Sequence, residues 1–200
     1  MVRSIGDVCR EVDSFFMGKS AVHEAMRSLA RALADLGIPF VIAGALATNV
    51  HGHRRTTADV DVLLDREGLN RFKERWSGRG WVDVFKGSKA MRDVEHDVKI
   101  DVLIAGDYPG DGKPKPISFP HPADVQAFDS EGIPFLPLTT LLEMKIASGM
   151  TAPHRPRDLD DTIQLIRVNR LPVEYADELD PYVRAKFVEL WNLAQVEEDY

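Results

Sequence analysis

Asp59 and Asp61 stand two residues apart in "ADVDVLL", and Asp101 repeats the texture in "KIDVLI". Side chains at i and i+2 on a strand point to one side, so Asp59 and Asp61 face the same way with Cα atoms ~7 Å apart. If the strand carrying Asp101 pairs with theirs, three carboxylates converge. Burying such charges unpaired costs several kcal/mol each by order of magnitude, so a positive partner is required. All-oxygen ligands suit Mg²⁺ or Mn²⁺, which take a few carboxylates and complete their shell with phosphates and water. Salt bridges or an exposed strand face are the plainer accounts of a lone D-x-D.

The residues before the pair weigh against those plainer accounts. "FVIAGALATNVHG" reads as a short buried strand, a turn at Gly44-Ala45 and a short helix ended by Gly52. Backbone N–H groups at such a turn can hold phosphate oxygens. Arg54, Arg55, Thr56 and Thr57 follow, cationic and hydroxyl groups suited to phosphate. A phosphate-holding turn, then Arg and Thr, then paired carboxylates is a coherent order for a metal–nucleotide complex.

The elements that must position these groups follow from periodicity. "SAVHEAMRSLARALADLGIPF" predicts a helix with Val22, Met26, Leu29, Leu33 and Leu36 on one stripe, Ser20 as N-cap and a stop at Gly37. "REGLNRFKERWSGRG" predicts a helix with Leu69, Phe72 and Trp76 inward, and "WVDVF" and "VKIDVLIAG" predict strands. The charged "KGSKAMRDVEHD" and the Pro- and Gly-rich "GDYPGDGKPKPISFPHPAD" read as loops. Three helices follow. "TLLEMKIASGM" opens on a capping box, Thr140 with Glu143. "RDLDDTIQLIRVN" has acids in its first turn, and "DPYVRAKFVELWNLAQ" has Asp180 as N-cap and Pro181 at the first position. The expectation is an α/β (α+β) core over residues 1–137, with a mixed central sheet flanked by helices, and a helical region over residues 138–200 packed on it.

Bulk properties exclude some classes. A net charge of −7 disfavours a surface that grips extended nucleic acid. The single cysteine, Cys9, allows no intrachain disulfide and, without a signal-peptide pattern, points to the cytoplasm. The longest apolar stretch, "FVIAGALA", is far below the ~20 residues that span a bilayer.

"IAGALATNVHGHRRTTADVDVLL" resembles the signature of the nucleotidyltransferase superfamily with the DNA polymerase beta-like fold. That signature is a hydrophobic residue, Gly, then Gly or Ser, a short helix, Asp-x-Asp on the next strand and a third acid on a later one. Gly44, Asp59, Asp61 and Asp101 match it. "RTTAD" resembles the Arg-x-Thr-x-Asp form of small bacterial members, and "LLEMKIAS…RPRDLDDTIQLI" the C-terminal block of the AbiEii-like and related uncharacterised groups. The likeness covers roughly residues 40 to 167, and it departs at Ala45, where the signature has Gly or Ser.

The resemblance implies transfer of a nucleoside monophosphate from an NTP to an acceptor hydroxyl on a protein, a small molecule or an RNA end. Asp59, Asp61 and Asp101 would be the catalytic, metal-holding acids. Gly44 and Ala45 would line the triphosphate, with Arg55 and Thr57 contacting phosphate or supporting the acids. It further implies a partner protein in a toxin–antitoxin or defence pair. Lys145 either reaches from the helical part across the cleft to a phosphate or carries its ammonium to solvent. Arg157, Asp158 and Asp161 either add charge to the cleft or answer the helix macrodipole. His51, His53 and His154 read as surface residues rather than a transition-metal site, and "QVEEDY" as a solvated end. Two other classes fit parts of the pattern: a nucleotidyltransferase-fold binding module without activity, supported by Ala45, and a D-x-D glycosyltransferase.

Overall fold

The computed structural model describes residues 4–196. Its centre is a seven-stranded mixed sheet in the order β3-β4-β5-β2-β1-β7-β6. The strands are β1 (Val41–Ile42), β2 (Asp59–Leu64), β3 (Trp81–Asp83), β4 (Met91–Asp93), β5 (Val98–Ile104), β6 (Ala127–Phe128) and β7 (Pro134–Phe135). β2 and β5 run parallel through six register pairs, Asp59↔Lys99 to Leu64↔Ile104. β1 pairs antiparallel with β2 and parallel with β7, and the remaining neighbours are antiparallel.

Among the described residues the α-helices are α1 (Ile5–Phe16), α2 (Ala21–Asp35), α3 (Gly44–Val50), α4 (Arg66–Trp76), α5 (Leu138–Thr151), α6 (Pro156–Asn169) and α7 (Pro181–Ala194). The stripe expected on α2 is the one it buries, including Val22, Met26, Leu29 and Leu33, and it packs on β2 and β5. Gly37 ends the helix at φ +60°, where a side chain is strained, and the N–H groups of Gly37 and Ile38 close back on Ala34 and Leu33. Asp65 caps α4 by accepting from Gly68 N at 2.6 Å, and Asp180 caps α7 by accepting from Tyr182 N at 2.8 Å. Helices α5, α6 and α7 pack on one another, and α5 also meets α3.

Several local expectations are corrected. The segment expected to be a loop at residues 86–97 contains β4, whose Met91 and Asp93 are buried. The two-residue strands β6 and β7 extend the sheet beyond β1, and α1 precedes the first expected helix. Thr140 and Glu143 form no capping box, because α5 starts earlier, at Leu138 after Pro137. Glu143 instead accepts from Asp180 N at 2.7 Å. Ser20 occupies the N-cap position of α2, yet its hydroxyl pairs with His23 Nδ1. Most of the expected acidic end lies at residues 197–200, outside the described residues.

Candidate active site

The register between β2 and β5 places Asp61 directly beside Asp101, and Asp59 lies two residues upstream on the same face. Chain connectivity closes the site from above. β1 ends at Ile42, the Ala43 N–H donates to Asp61 O at 2.9 Å, and Gly44 then turns at φ +57° into α3. Only glycine suits this position twice over: the φ is left-handed, and an added Cβ would overlap the Asp61 carboxylate. Gly44 therefore lets the turn lie directly against an acid of the pair. Ala45, buried in the first turn of α3, lines the same cleft as Gly44 and Asp61.

The acids differ in their surroundings. Thr57 Oγ1 donates to Asp59 Oδ1 at 2.5 Å. Asp101 Oδ1 lies 2.7 Å from Lys99 Nζ, a pair on the half-exposed side of β5. Asp61 is raised to about 6, first by burial and then by the charges of Asp59 and Asp101; Lys145 and Arg155 pull in the opposite direction. Asp61 thus resists ionisation beside its two neighbours, which is the electrostatic condition a divalent cation relieves. The donors are all oxygen, and they fit Mg²⁺ or Mn²⁺ in kind. In their present rotamers, no three His, Cys, Asp or Glu side chains among the described residues are gathered as a ready metal group. Asp101 is turned to Lys99 instead.

The helical part supplies the cationic wall. Lys145 on α5 does not reach solvent: it is 5% exposed and donates to Asp161 Oδ2 at 2.5 Å. Asp161 on α6 is 1% exposed and also receives Arg55, with Nη2 3.1 Å from Oδ2 and Nε 2.9 Å from Oδ1. One buried carboxylate thus anchors two cations, one from α5 and one from the segment before β2. Asp158 takes the Ser148 hydroxyl at 2.6 Å and lies 3.5 Å from Lys145 Nζ. The resulting cleft is lined by Gly44, Ala45, Arg55, Asp61, Lys145 and Arg155, among others. Arg155, which sequence reasoning passed over, faces Asp61. Arg157, which it singled out, borders a different cavity beside Asp59.

The histidines expected at the surface are partly buried and do not form a pair. His51 Nε2 bonds Leu136 O at 2.7 Å, whereas His53 Nε2 lies 3.5 Å from Asp161. His154 is exposed, as expected of a loop residue. The buried anchoring by Asp161 was not visible in the sequence. Its only signal there was an acid in the first turns of a helix, which has a commoner cause.

No family model matches the chain, and no curated protein does. Among solved structures it is similar to a putative nucleotidyltransferase from H. pylori, at 18% identity and a TM-score of 0.47, covering 86% of this chain and 91% of that one. A putative nucleotidyltransferase from Thermotoga maritima is similar at 16% identity and a TM-score of 0.45, covering 70% of this chain and 93% of that one. ANT(2″)-Ia, solved in complex with adenylyl-2″-tobramycin, is similar at 13% identity and a TM-score of 0.38, covering 82% of each chain.

Proposed function

We propose that this chain is a metal-dependent nucleotidyltransferase that moves a nucleoside monophosphate from an NTP to an acceptor hydroxyl. The observation that carries the reading is the register pair Asp61–Asp101, with Asp59 on the same face, beneath a Gly44 turn that touches Asp61 and opposite a wall holding Lys145 and Arg155. Acids for a cation, a close-approach turn for phosphate oxygens and fixed positive charge across the cleft are the parts that phosphoryl-group transfer requires.

Asp59, Asp61 and Asp101 would hold Mg²⁺ or Mn²⁺, which supplies neutralisation of the triphosphate and lowers the pKa of an acceptor hydroxyl. The chain's own residues do the rest. Gly44 and Ala45 admit the triphosphate close to the backbone. Lys145, Arg155 and Arg55 meet its charge, with Asp161 fixing Lys145 and Arg55 in place. Thr57 orients the Asp59 carboxylate. The acceptor is a hydroxyl of a protein side chain, a small molecule or an RNA end. A cytoplasmic setting rests on the cysteine usage, and a partner protein of a toxin–antitoxin pair on the sequence resemblance. No helix among the described residues is long and apolar enough to cross a membrane.

The Lys99–Asp101 pair favours the second reading, a binding module in which a lysine has taken the place of a cation. Thermal unfolding with each NTP, with and without Mg²⁺ or Mn²⁺, separates the two. A ligand bound only by the folded state adds ~2.7 kcal/mol at a hundredfold excess over its Kd. The enzyme reading expects a metal-dependent rise with at least one NTP, lost in Asp59→Ala/Asp61→Ala. No rise with any NTP at millimolar concentration selects the module.

A further inference from the structure

A second cavity adjoins the first along β2, and it is the larger, ≈ 750 Å³ against ≈ 130 Å³. Asp61 lines the smaller cleft, Asp59 lines the larger cavity, and Arg55 borders both. The acidic pair therefore contributes one carboxylate to a space walled by Gly44, Lys145 and Arg155 and the other to a space walled by α1, the Thr56–Asp59 segment and the turn before β5.

That turn carries a histidine held in one orientation. Asp93, on β4, is 2% exposed and accepts from the backbone N–H of Glu95 at 2.9 Å and of His96 at 3.3 Å. Its other oxygen, Oδ2, lies 2.8 Å from His96 Nδ1. A carboxylate that receives two N–H donors on one oxygen is an acceptor at the other, so Nδ1 donates to Asp93 and Nε2 is the nitrogen left to exchange a proton. Nε2 has no hydrogen-bond partner among the described residues, and His96 lines the cavity that Asp59 and Thr57 also line. A buried acid bonded to one nitrogen of an imidazole that lines the same cavity as Asp59 is the arrangement of a general base.

We propose that the larger cavity binds the acceptor and that His96, oriented by Asp93, is the catalytic base that removes the acceptor's proton. The inference rests on the nucleotidyltransferase reading of Asp59 and Asp61. The acceptor O–H gives its proton to His96 Nε2 while its oxygen bonds the α-phosphorus. The bond from α-phosphorus to the bridging oxygen breaks, and pyrophosphate leaves on the Gly44 and Lys145 side. The lining is mixed: Glu11, Lys19, Asp97 and Arg157 stand with the apolar Phe15 and Val22, which suits a polar hydroxyl compound with an apolar face.

The test is metal-dependent pyrophosphate release from the NTP that gives the thermal shift, with glycerol as the hydroxyl probe. His96→Asn keeps an amide N–H that can bond Asp93 and deletes Nε2. His96→Gln fills the ring's reach with a non-basic amide, should the first variant fold poorly. The expected result is a hundredfold or greater fall in kcat for both variants, with the NTP- and metal-dependent thermal shift retained, and partial recovery of His96→Ala on adding imidazole. A purely structural Asp93–His96 staple predicts that His96→Asn stays within about threefold of wild type while Asp59→Ala/Asp61→Ala is inactive; that outcome overturns the base and leaves the site reading standing. Loss of the NTP-dependent shift in wild type itself overturns the site reading, and the base with it.

Discussion

Replacing Asp61 with Asn should stabilise the metal-free protein, although Asp61 is central to the proposed chemistry. Its carboxyl is raised from 3.8 to about 6 by burial and by the charges of Asp59 and Asp101. Between those two values the folded state binds more protons at this site than the unfolded state does, so stability falls as pH rises through the window. Two units at 1.36 kcal/mol each set a ceiling of about 3 kcal/mol, and the wetted cleft side of the carboxylate reduces this to about 2 kcal/mol. Well below pH 3.8 the acid is neutral in both states and the penalty vanishes; well above pH 6 it is complete. Asn removes the ionisation and keeps the shape. Urea unfolding of wild type and Asp61→Asn in EDTA, at pH 4 and pH 8, measures the effect. The gain of the variant over wild type should be about 2 kcal/mol larger at pH 8. Adding Mn²⁺ should reverse it, because the cation stabilises only the protein that keeps its carboxylate. A variant whose stability relative to wild type is the same at both pH values would refute the claim that burial and the neighbouring acids penalise the Asp61 carboxylate in the metal-free fold.

Three other perturbations follow from the same geometry. Gly44→Ala combines a left-handed φ with overlap of the Asp61 carboxylate, and should lower stability by about 2 kcal/mol in urea unfolding and remove the NTP-dependent thermal shift. Asp161→Ala leaves Lys145 and Arg55 facing each other without their shared carboxylate; it should lower stability by about 3 kcal/mol, whereas an acid that merely answers the helix dipole would give under about 1 kcal/mol. Lys99→Met removes the ammonium that competes for Asp101, so Mn²⁺ affinity, read by electron paramagnetic resonance titration, should rise about fivefold, the equivalent of about 1 kcal/mol for a half-exposed charge; unchanged or weaker binding would count against metal loading through Asp101.

How far the sequence reached depended on the range of each interaction. The positions of Asp59, Asp61 and Gly44 were legible because strand alternation and a glycine turn are written within a few residues. Pairing of Asp61 with Asp101 was only conditional, since strands 40 residues apart in the chain meet through tertiary packing. β6 and β7 escaped notice because two residues carry no periodicity, and α1 because it buries only Phe15 and leaves Ile5, Val8, Val12 and Phe16 exposed. Lys145 could not be assigned from spacing, because its partner Asp161 lies on the next helix and that carboxylate's second cation, Arg55, is 106 residues away. The Asp93–His96 pair was lost inside a segment whose charge suggested a loop, and the buried strand β4 beneath it was missed for the same reason.

The most direct measurement of the central claim uses NTP labelled at the α-phosphate, and separately at the γ-phosphate, with Mg²⁺ or Mn²⁺ and the purified chain. The account predicts metal-dependent movement of the α-label onto a hydroxyl acceptor, γ-label recovered only in pyrophosphate, and neither event with Asp59→Ala/Asp61→Ala. Label transfer that persists in the double variant, or γ-label released as free phosphate, would contradict it.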